Sequence, residues 1–361
     1  MQGLLFSHEI KHNYYDRSFW FRLILPQQFR RCDLGFMDGF LNLHKPLTFT
    51  SHDCVARLRR LLKTKKIGHA GTLDPMADGV LPMAIGRATR LLQFLPQSKA
   101  YRAIVRFGLT TTTDDLEGEV LTQTACPEIT LEQIKALLPK FIGTIDQIPP
   151  AFSAIQVDGK RLYDLARAGV AVDVPMRTVE ISEIKVLDWC GGEFPELDLD
   201  ITCGGGTYIR AIARDLGAAL GTGATLAGLT RTHSSGFDLA TSLTFEAIEA
   251  AIEDKSLVLT AVEQPLMHHP SILLNDEETW RWCNGQKIVP PDKELPIGQV
   301  CRAKRLNPIT QQEDFLGIAE VEAREEFVFL RAKMAYAECP CDRPLDPLNP
   351  QSHADLHNDS P

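Results

Sequence analysis

A glycine-rich segment at residues 65–81, KKIGHAGTLDPMADGVL, constrains the chain more than any other stretch. Three glycines surround one carboxylate, Asp74, and Pro75 follows it directly. A residue before proline is displaced from the helical region into extended geometry, while glycines permit tight turns and close approach of a ligand. We therefore expect Asp74 to lie on a constrained, exposed loop. An aspartate in such a loop is, taken alone, more often a turn residue than a catalytic one.

The distribution of charge favours a polyanionic partner, although the whole chain of 361 residues carries a net charge of −9. Residues 37–90 hold nine lysines and arginines against four acidic residues, a net of +5 around Asp74. Residues 338–361 carry a net charge of −4. A local basic patch attracts phosphate groups whatever the total charge, so a carboxylate inside such a patch suits catalysis on an anionic polymer.

Composition narrows the class of protein further. A hydrophobic content of 44% can fill a core, and no apolar run approaches the roughly 18 residues that span a bilayer. Nine cysteines are scattered without framework spacing, which is typical of reduced cytosolic thiols. The one close pair, Cys339 and Cys341, has no second ligand cluster, so no metal site is predicted.

Hydrophobic periodicity predicts a mixed α+β chain. Alternating patterns predict strands at residues 37–43, 101–107, 197–203, 226–231 and 237–243. Amphipathic patterns predict helices after a Thr50 cap and at residues 127–141, 160–167, 209–220 and 248–252. Residues 80–95 read as an apolar strand or helix, residues 147–154 are too rich in proline for regular structure, and residues 271–335 suggest a small mixed β unit with a turn at Asn284-Gly285.

Four sequence blocks occur in an order and spacing that point to one family. They are Lys45-Pro46 with Thr50-Ser51, GHAGTLDP at 68–75, Lys99-Ala100-Tyr101, and GTYIR at 206–210. Over roughly residues 37–243 the chain resembles the bacterial tRNA pseudouridine-55 synthases, the TruB family. The resemblance implies the α+β pseudouridine synthase fold: a central mixed, mainly antiparallel sheet flanked by helices, plus a small β-rich PUA-like C-terminal domain.

The resemblance also implies an activity, the isomerisation of uridine to pseudouridine at position 55 in the T loop of tRNA, without a metal or cofactor. Asp74 matches the catalytic aspartate and Arg210 the arginine that pairs with it. Tyr101 matches the tyrosine that stacks on the target base and is a candidate to take the C5 proton. An arginine facing an aspartate stabilises the charged carboxylate, and a base must leave its stack before its glycosidic bond can be reached.

Further residues are implied to bind RNA. His69 matches the histidine that enters the T loop, Tyr208 an aromatic residue of the pocket, and Lys45 a lysine that supports the site. The remaining candidates line the same loop or the basic surface that phosphate contacts require: Gly71, Leu73, Arg57, Arg60, Lys66 and Arg90. Gly204-Gly205 departs from the family pattern, because family members often have polar or basic residues at these two positions. The role of the strand that ends here is therefore left open.

The domain organisation follows from pattern and resemblance together. Residues 1–36 show no sustained period and are predicted to be an extension outside the fold, with Met37 as the natural start. A catalytic domain is predicted at residues 37–265, a PUA-like RNA-binding domain at 271–337 and a disordered acidic tail at 338–361. We expect a cytoplasmic monomer that binds tRNA, needs no protein partner and has no membrane contact.

Three alternatives remain open at this stage. A guide-RNA-dependent, dyskerin-like pseudouridine synthase shares the catalytic block, although the acidic tail favours the stand-alone form. A tRNA-folding chaperone without catalysis would not need Asp74, Tyr101 and Arg210 together. A glycosidase using Asp74 and Asp78 as its two carboxylates would leave the basic patch unexplained.

Overall fold

The fold is seen in a computed structural model, which describes residues 38–153, 156–157, 160–161, 174–290, 295–324 and 327–336. The predicted extension at residues 1–36, the predicted natural start at Met37 and the predicted acidic tail at 338–361 lie outside these ranges. The strands are β1 Gly39–Lys45, β2 Ile67–His69, β3 Ala77–Ile85, β4 Lys99–Phe107, β5 Leu109–Thr111, β6 Val120–Gln123, β7 Gly143–Gln147, β8 Gln156–Val157, β9 Lys160–Arg161, β10 Arg177–Cys190, β11 Glu196–Cys203, β12 Ala224–Ser234, β13 Phe237–Asp238, β14 Ser271–Leu274, β15 Val300–Leu306, β16 Glu313–Arg324 and β17 Phe327–Ala335. The α-helices are α1 Ser51–Leu61, α2 Leu131–Leu137, α3 Ile209–Leu220, α4 Phe245–Glu253 and α5 Asp276–Cys283.

A central sheet organises the molecule, with the strand order β1-β3-β12-β4-β11-β10-β7. β2 pairs with β3, and β13 pairs with β12. Every neighbouring pair is antiparallel except β3 and β12, which run parallel. The expected central mixed, mainly antiparallel sheet is therefore confirmed. The parallel pair joins the segment that follows Asp74 to a strand about 150 residues further along the chain.

Helix ends follow local sequence signals. Thr50 caps α1 in a capping box with Asp53, which satisfies two otherwise unpaired backbone donors. The helix expected at residues 127–141 begins after the Thr130 cap, but its α-helical part ends at Leu137 and a 3₁₀ segment, Leu138–Phe141, follows. Pro139 accounts for the change because it lacks the donor that an α-helix interior needs.

Two sequence predictions were wrong in extent. The apolar segment at 80–95 is neither one strand nor one helix: β3 ends at Ile85 and a 3₁₀ helix runs over Gly86–Phe94. Gly86 has φ of +64°, a conformation that glycine adopts without strain. It lets the chain turn from β3 into the 3₁₀ helix. The strand expected at 237–243 stops at Asp238 and passes into a 3₁₀ turn. The helix expected at 160–167 falls mostly outside the described residues, and its first two residues form β9.

Both faces of the central sheet are covered. Inward residues of β4 and β11 pack with Ile134 of α2 and with Ile209, Ile212 and Leu216 of α3. Alternate residues of β1 and β3 point to opposite sides, where Leu41 and Met83 meet α1 and α4 and Phe40 and Val80 face the other way. Burial on both faces holds the sheet rigid beneath the Asp74 loop.

A second sheet confirms the expected β-rich C-terminal region. Its order is β14-β15-β16-β17, with β14 and β15 parallel. Ile318 and Met334 share a core cluster with Phe40 of the central sheet, so the two sheets are packed together. The turn predicted at Asn284-Gly285 is present and ends α5. Among the described residues, no helix is long and apolar enough to cross a membrane.

Candidate active site

The loop that carries Asp74 is held by hydrogen bonds from the chain between β1 and the start of α1. The Thr48 amide donates to the carbonyl of Pro75 at 2.8 Å. The Ser51 hydroxyl at the start of α1 accepts from the Leu73 amide at 2.9 Å. The Leu73 side chain is buried in the main core. The loop is therefore fixed on both sides of Asp74. The Asp74 side chain itself is about one-third exposed.

Arg231 holds the same loop from below, and sequence reasoning missed it. The side chain is fully buried. Its guanidinium donates to the carbonyls of Val80 at 2.7 Å, Thr72 at 3.3 Å and Gly71 at 3.2 Å. Charge-assisted bonds of this kind are stronger than neutral ones, so one buried cation fixes the approach to Asp74.

One transverse row of the central sheet carries much of the site. Lys45 of β1 lies opposite Gly79 of β3, Gly79 opposite Arg231 of β12, and Arg231 opposite Tyr101 of β4. Gly79 has φ of +102°, and a Cβ there would collide with the Arg231 backbone. Glycine is therefore required for β3 and β12 to come this close. This row, called the site row below, comprises Lys45, Gly79, Arg231 and Tyr101.

Arg210 meets Asp74 from the first turn of α3. Its Nη2 lies 3.0 Å from Asp74 Oδ2, and its Nη1 lies 3.3 Å from Asp115 Oδ2. The same two nitrogens donate to the carbonyls of Thr113 at 3.0 Å and Phe152 at 3.1 Å. The Arg210 side chain is 6% exposed and that of Asp115 4%, so Asp74 is the outward end of a buried charge network.

Asp115 is a second residue that the sequence did not reveal as part of the site. It accepts hydrogen bonds from the Thr113 hydroxyl and from the Glu117 amide at 3.1 Å. Nothing but a polar TTTDD run marks it in the sequence. Because these hydrogen bonds hold Asp115 in place, Asp115 can hold Arg210 in one orientation toward Asp74. Asp115 is therefore a positioning residue.

Tyr208 is fixed by its backbone. The Gln147 side chain accepts from the Tyr208 amide at 2.8 Å and donates to the Tyr208 carbonyl at 3.0 Å. Gln147, which is 2% exposed, was not expected to take part. Tyr208 is the N-cap residue of α3. The two hydrogen bonds from Gln147 therefore hold the start of the helix in place, and with it Arg210 in the first turn.

Tyr101 and Lys45 are buried under the loop. Burial raises the pKa of Tyr101, while Arg231, which hydrogen-bonds the phenol, acts in the opposite direction. Lys45 Nζ donates to the carbonyls of Pro46 at 2.8 Å and Phe49 at 2.6 Å. Burial lowers the pKa of Lys45, because the interior disfavours the charged form. Lys45 thus supports the chain between β1 and α1.

His69 lies at the end of β2, half-buried beside the loop. Burial lowers its pKa, so the imidazole is neutral near pH 7. Its Nδ1 is buried, and within the described ranges it meets no hydrogen-bond partner.

The predicted basic surface is only partly free. Arg57 pairs with Glu249 at 2.9 Å and stacks on the Phe245 ring at 4.2 Å. The side chains of Arg60, Lys66 and Arg90 are exposed. Leu73, placed among the RNA-binding candidates, lies 4% exposed in the core, where it anchors the loop. Asp78, the second carboxylate of the glycosidase alternative, lies 3.6 Å from His44.

Comparison with known proteins agrees with this fold. A family model described as the N-terminal domain of TruB family pseudouridylate synthase matches residues 59–209. A second, described as the tRNA pseudouridylate synthase B C-terminal domain, matches residues 210–267. The fold and these matches together define a pseudouridylate synthase. The chain belongs to the TruB family.

Individual relatives extend the match over most of the chain. A protein of a Nostoc species named tRNA pseudouridine synthase B is 54% identical over 287 residues, covering 80% of this chain and 96% of the relative. One of a Synechocystis species with the same name is 52% identical over 299 residues, covering 82% and 99%.

Solved structures show the same fold at lower identity. The Cbf5-Nop10-Gar1 complex contains a chain with a TM-score of 0.62 and 24% identity, covering 83% of this chain and 85% of that one. The archaeal box H/ACA Nop10-Cbf5 complex gives a TM-score of 0.60 and 23% identity, with coverage of 84% and 87%. Likeness at this level establishes the fold alone.

Proposed function

We propose that this tRNA pseudouridine synthase modifies uridine 55 in the T loop of tRNA, with Asp74 as its catalytic carboxylate. Relatives about half identical over nearly their whole length carry the name tRNA pseudouridine synthase B, which supports tRNA as the substrate. The observation that carries the role of Asp74 is its placement: a partly exposed carboxylate on a fixed loop, 3.0 Å from a buried guanidinium.

The chemistry needs a fixed carboxylate and no redox partner. The N1–C1′ bond of uridine breaks, the uracil turns, and a C5–C1′ bond forms. The hydrogen on C5 leaves as a proton and N1 gains one, so atoms and charge balance. Asp74 either adds to the nucleoside or assists glycosidic cleavage. Both routes gain from a carboxylate whose position is set before the substrate arrives.

Tyr101 and Arg210 serve Asp74 in different ways. Arg210 supplies positive charge beside the carboxylate and is itself held by Asp115. Tyr101 lies beneath the loop, and its raised pKa keeps the phenol protonated in the free protein. A protonated phenol can stack on, and hydrogen-bond to, an extruded base. It can accept the C5 proton only by passing its own onward.

Recognition of the tRNA is assigned to the surface around the loop. His69, Tyr208 and Gly71 are assigned to RNA contacts at the loop, Leu73 anchors the loop in the core, and Lys45 supports it from below. Arg60, Lys66 and Arg90 present exposed charge to phosphates, whereas the Arg57 charge is shared with Glu249. We extend the proposal to a catalytic unit at residues 37–265, a PUA-like RNA-binding unit at 271–337, and a cytoplasmic monomer that requires no protein partner.

Mapping the modified position tests the assignment. A tRNA transcript is incubated with the protein, treated with carbodiimide and read by primer extension. The control is the same transcript with cytidine in place of uridine 55. We expect a single new stop at the T-loop uridine and none in the control. Modification at other uridines, or none in the presence of tight tRNA binding, would overturn the proposal.

A further inference from the structure

A cavity of about 250 Å³ lies beside the Asp74 loop, and the proposed function assigns no ligand group to it. Its lining includes His69 and Gly71 from the loop side, Gln97 and Lys99 at the start of β4, and Ser235 after β12. Lys99 and Tyr101 are two residues apart on one strand and so share a face of the sheet. The cavity therefore adjoins the site row rather than lying on a separate surface.

Lys99 brings a cation into this cavity, and no carboxylate among the described residues balances it. In the part of the chain that the structure describes, the groups that act on its ammonium are Cys203 and Arg231, and Arg231 repels it. Burial lowers the pKa of Lys99. A Cβ on Gly71 would lie 3.3 Å from Lys99 Nζ and 3.8 Å from Arg231 Nη1. Two cationic groups thus converge on one point of the loop.

Lys99, His69 and Ser235 are polar side chains that border the cavity. Ser235 follows Ser234, which lies directly opposite Lys99 in the pairing of β12 with β4. Ser234 itself is fully buried and is not part of the lining. The cavity therefore presents an ammonium, an imidazole and a hydroxyl to one small ligand.

The chemistry of the lining selects the ligand. An ammonium, an imidazole and a hydroxyl together suit an oxyanion, and phosphate is a strong partner for lysine. An RNA base would favour aromatic side chains to stack on. Among the lining residues named above, His69 is the one with an aromatic ring. The volume lies below the roughly 300–1,000 Å³ usual for drug-sized ligands, which fits a single small group.

We propose that this cavity binds one backbone phosphate of the RNA substrate through Lys99, next to the nucleotide that Asp74 modifies. The proposal rests on the proposed function and adds a binding residue to it. Gly71 leaves room for the phosphate, because a side chain there would fill the space before Lys99 Nζ. Lys99 would hold the strand in place while the base is turned out.

Methylphosphonate scanning of a T-stem-loop RNA tests the contact. Each RNA in the set carries one uncharged methylphosphonate linkage, and its affinity is measured for wild type and for Lys99→Gln. We expect one linkage to weaken binding to wild type by about tenfold and to have little further effect on Lys99→Gln. The salt dependence of Lys99→Gln should have a slope smaller by about one.

Matched variants separate binding from folding. Lys99→Arg keeps the charge and should retain most of the affinity. Lys99→Met removes an unpaired, partly buried charge, so its melting temperature should equal or exceed that of wild type while its RNA affinity falls. Lys185→Gln, an exposed lysine paired with Glu183 on β10, is the control and should change neither.

The outcomes keep this proposal distinct from the proposed function. If wild type forms no pseudouridine, the proposed function fails. If wild type is active but every methylphosphonate weakens binding to wild type and Lys99→Gln equally, only the phosphate subsite is overturned. Competition by inorganic phosphate that depends on Lys99, without any Lys99-dependent linkage effect, would indicate a free-anion site and would also overturn it.

Discussion

Two neighbouring regions of the site differ in whether their cation is paired with a carboxylate. At Arg210 the guanidinium meets two carboxylates and two carbonyls. At Lys99 the ammonium meets no carboxylate among the described residues, and it lines a cavity together with His69 and Ser235. The first region is complete in the free protein, as a group that performs chemistry should be. The second is completed only by a ligand, as a group that binds substrate can be.

Removing Arg210 should have the largest effect, because two carboxylates then lose their common counter-charge. Arg210→Gln leaves Asp115 buried without its counter-charge, which we expect to lower the free energy of unfolding by about 3–5 kcal/mol. Urea denaturation measures this. The control is Arg281→Gln, which removes an exposed pair with Glu277 on α5 and should cost at most about 0.5 kcal/mol.

A second variant tests whether the charges act as a unit. Asp115→Asn combined with Arg210→Gln should cost less than the two single changes added together, because no unpaired buried charge remains. Strictly additive losses would show that the network is not coupled, and the contrast with Lys99 would lose its basis.

Replacing Arg231 tests whether this residue positions the Asp74 loop. Arg231→Lys keeps the charge but cannot reach the carbonyls of Gly71, Thr72 and Val80 together. We expect kcat to fall about 100-fold, since a displacement near 1 Å at the reacting centre can have that effect, while KM changes little. Steady-state kinetics on tRNA measure both constants.

The matched control is Arg302→Lys in the second sheet. Arg302 is similarly buried and donates to the His269 carbonyl at 2.9 Å. Its replacement should lower stability without changing kcat of the folded protein. Equal kcat losses in both variants would mean that Arg231 acts through general stability rather than through the loop.

The smallest expected effect is a pH dependence of stability at His69. Burial lowers the pKa of His69 in the folded protein, so the unfolded chain takes up this proton at higher pH. The free energy of unfolding therefore falls as pH drops below the unfolded value of about 6.5. The slope is at most about 1.4 kcal/mol per pH unit for one proton.

Urea denaturation at a series of pH values between 7.5 and 5.0 measures this slope. His69→Gln should reduce the loss of stability on acidification relative to wild type. Superimposable pH profiles for the two proteins would show that burial does not lower the pKa of His69 in the folded protein.

Local signals in the sequence predicted much of the framework. The Thr50 and Thr130 caps, the alternating strand at residues 101–107 and the apolar face of the helix after Ile209 are all present, because caps and periodicity act within a few residues. The GHAGTLDP block located the loop, and the structure places Arg210 against Asp74.

The residues that the sequence did not reveal act over long distances. Arg231 reaches the Val80 carbonyl across 151 positions, and this contact depends on the parallel pairing of β3 with β12. Asp115 and Gln147 lie in segments without a periodic pattern. Their roles depend on the register of strands and on where α3 begins, which local propensity does not determine.

Tritium release from tRNA labelled at C5 of uridine, compared between wild type and Asp74→Asn, tests whether Asp74 is the catalytic carboxylate. Asparagine keeps the shape of the side chain but removes its negative charge, while Arg210 keeps Asp115 and its carbonyl partners. We predict release by wild type and none by Asp74→Asn, with tRNA affinity within about tenfold of wild type. Release by Asp74→Asn at a rate near that of wild type would contradict the account.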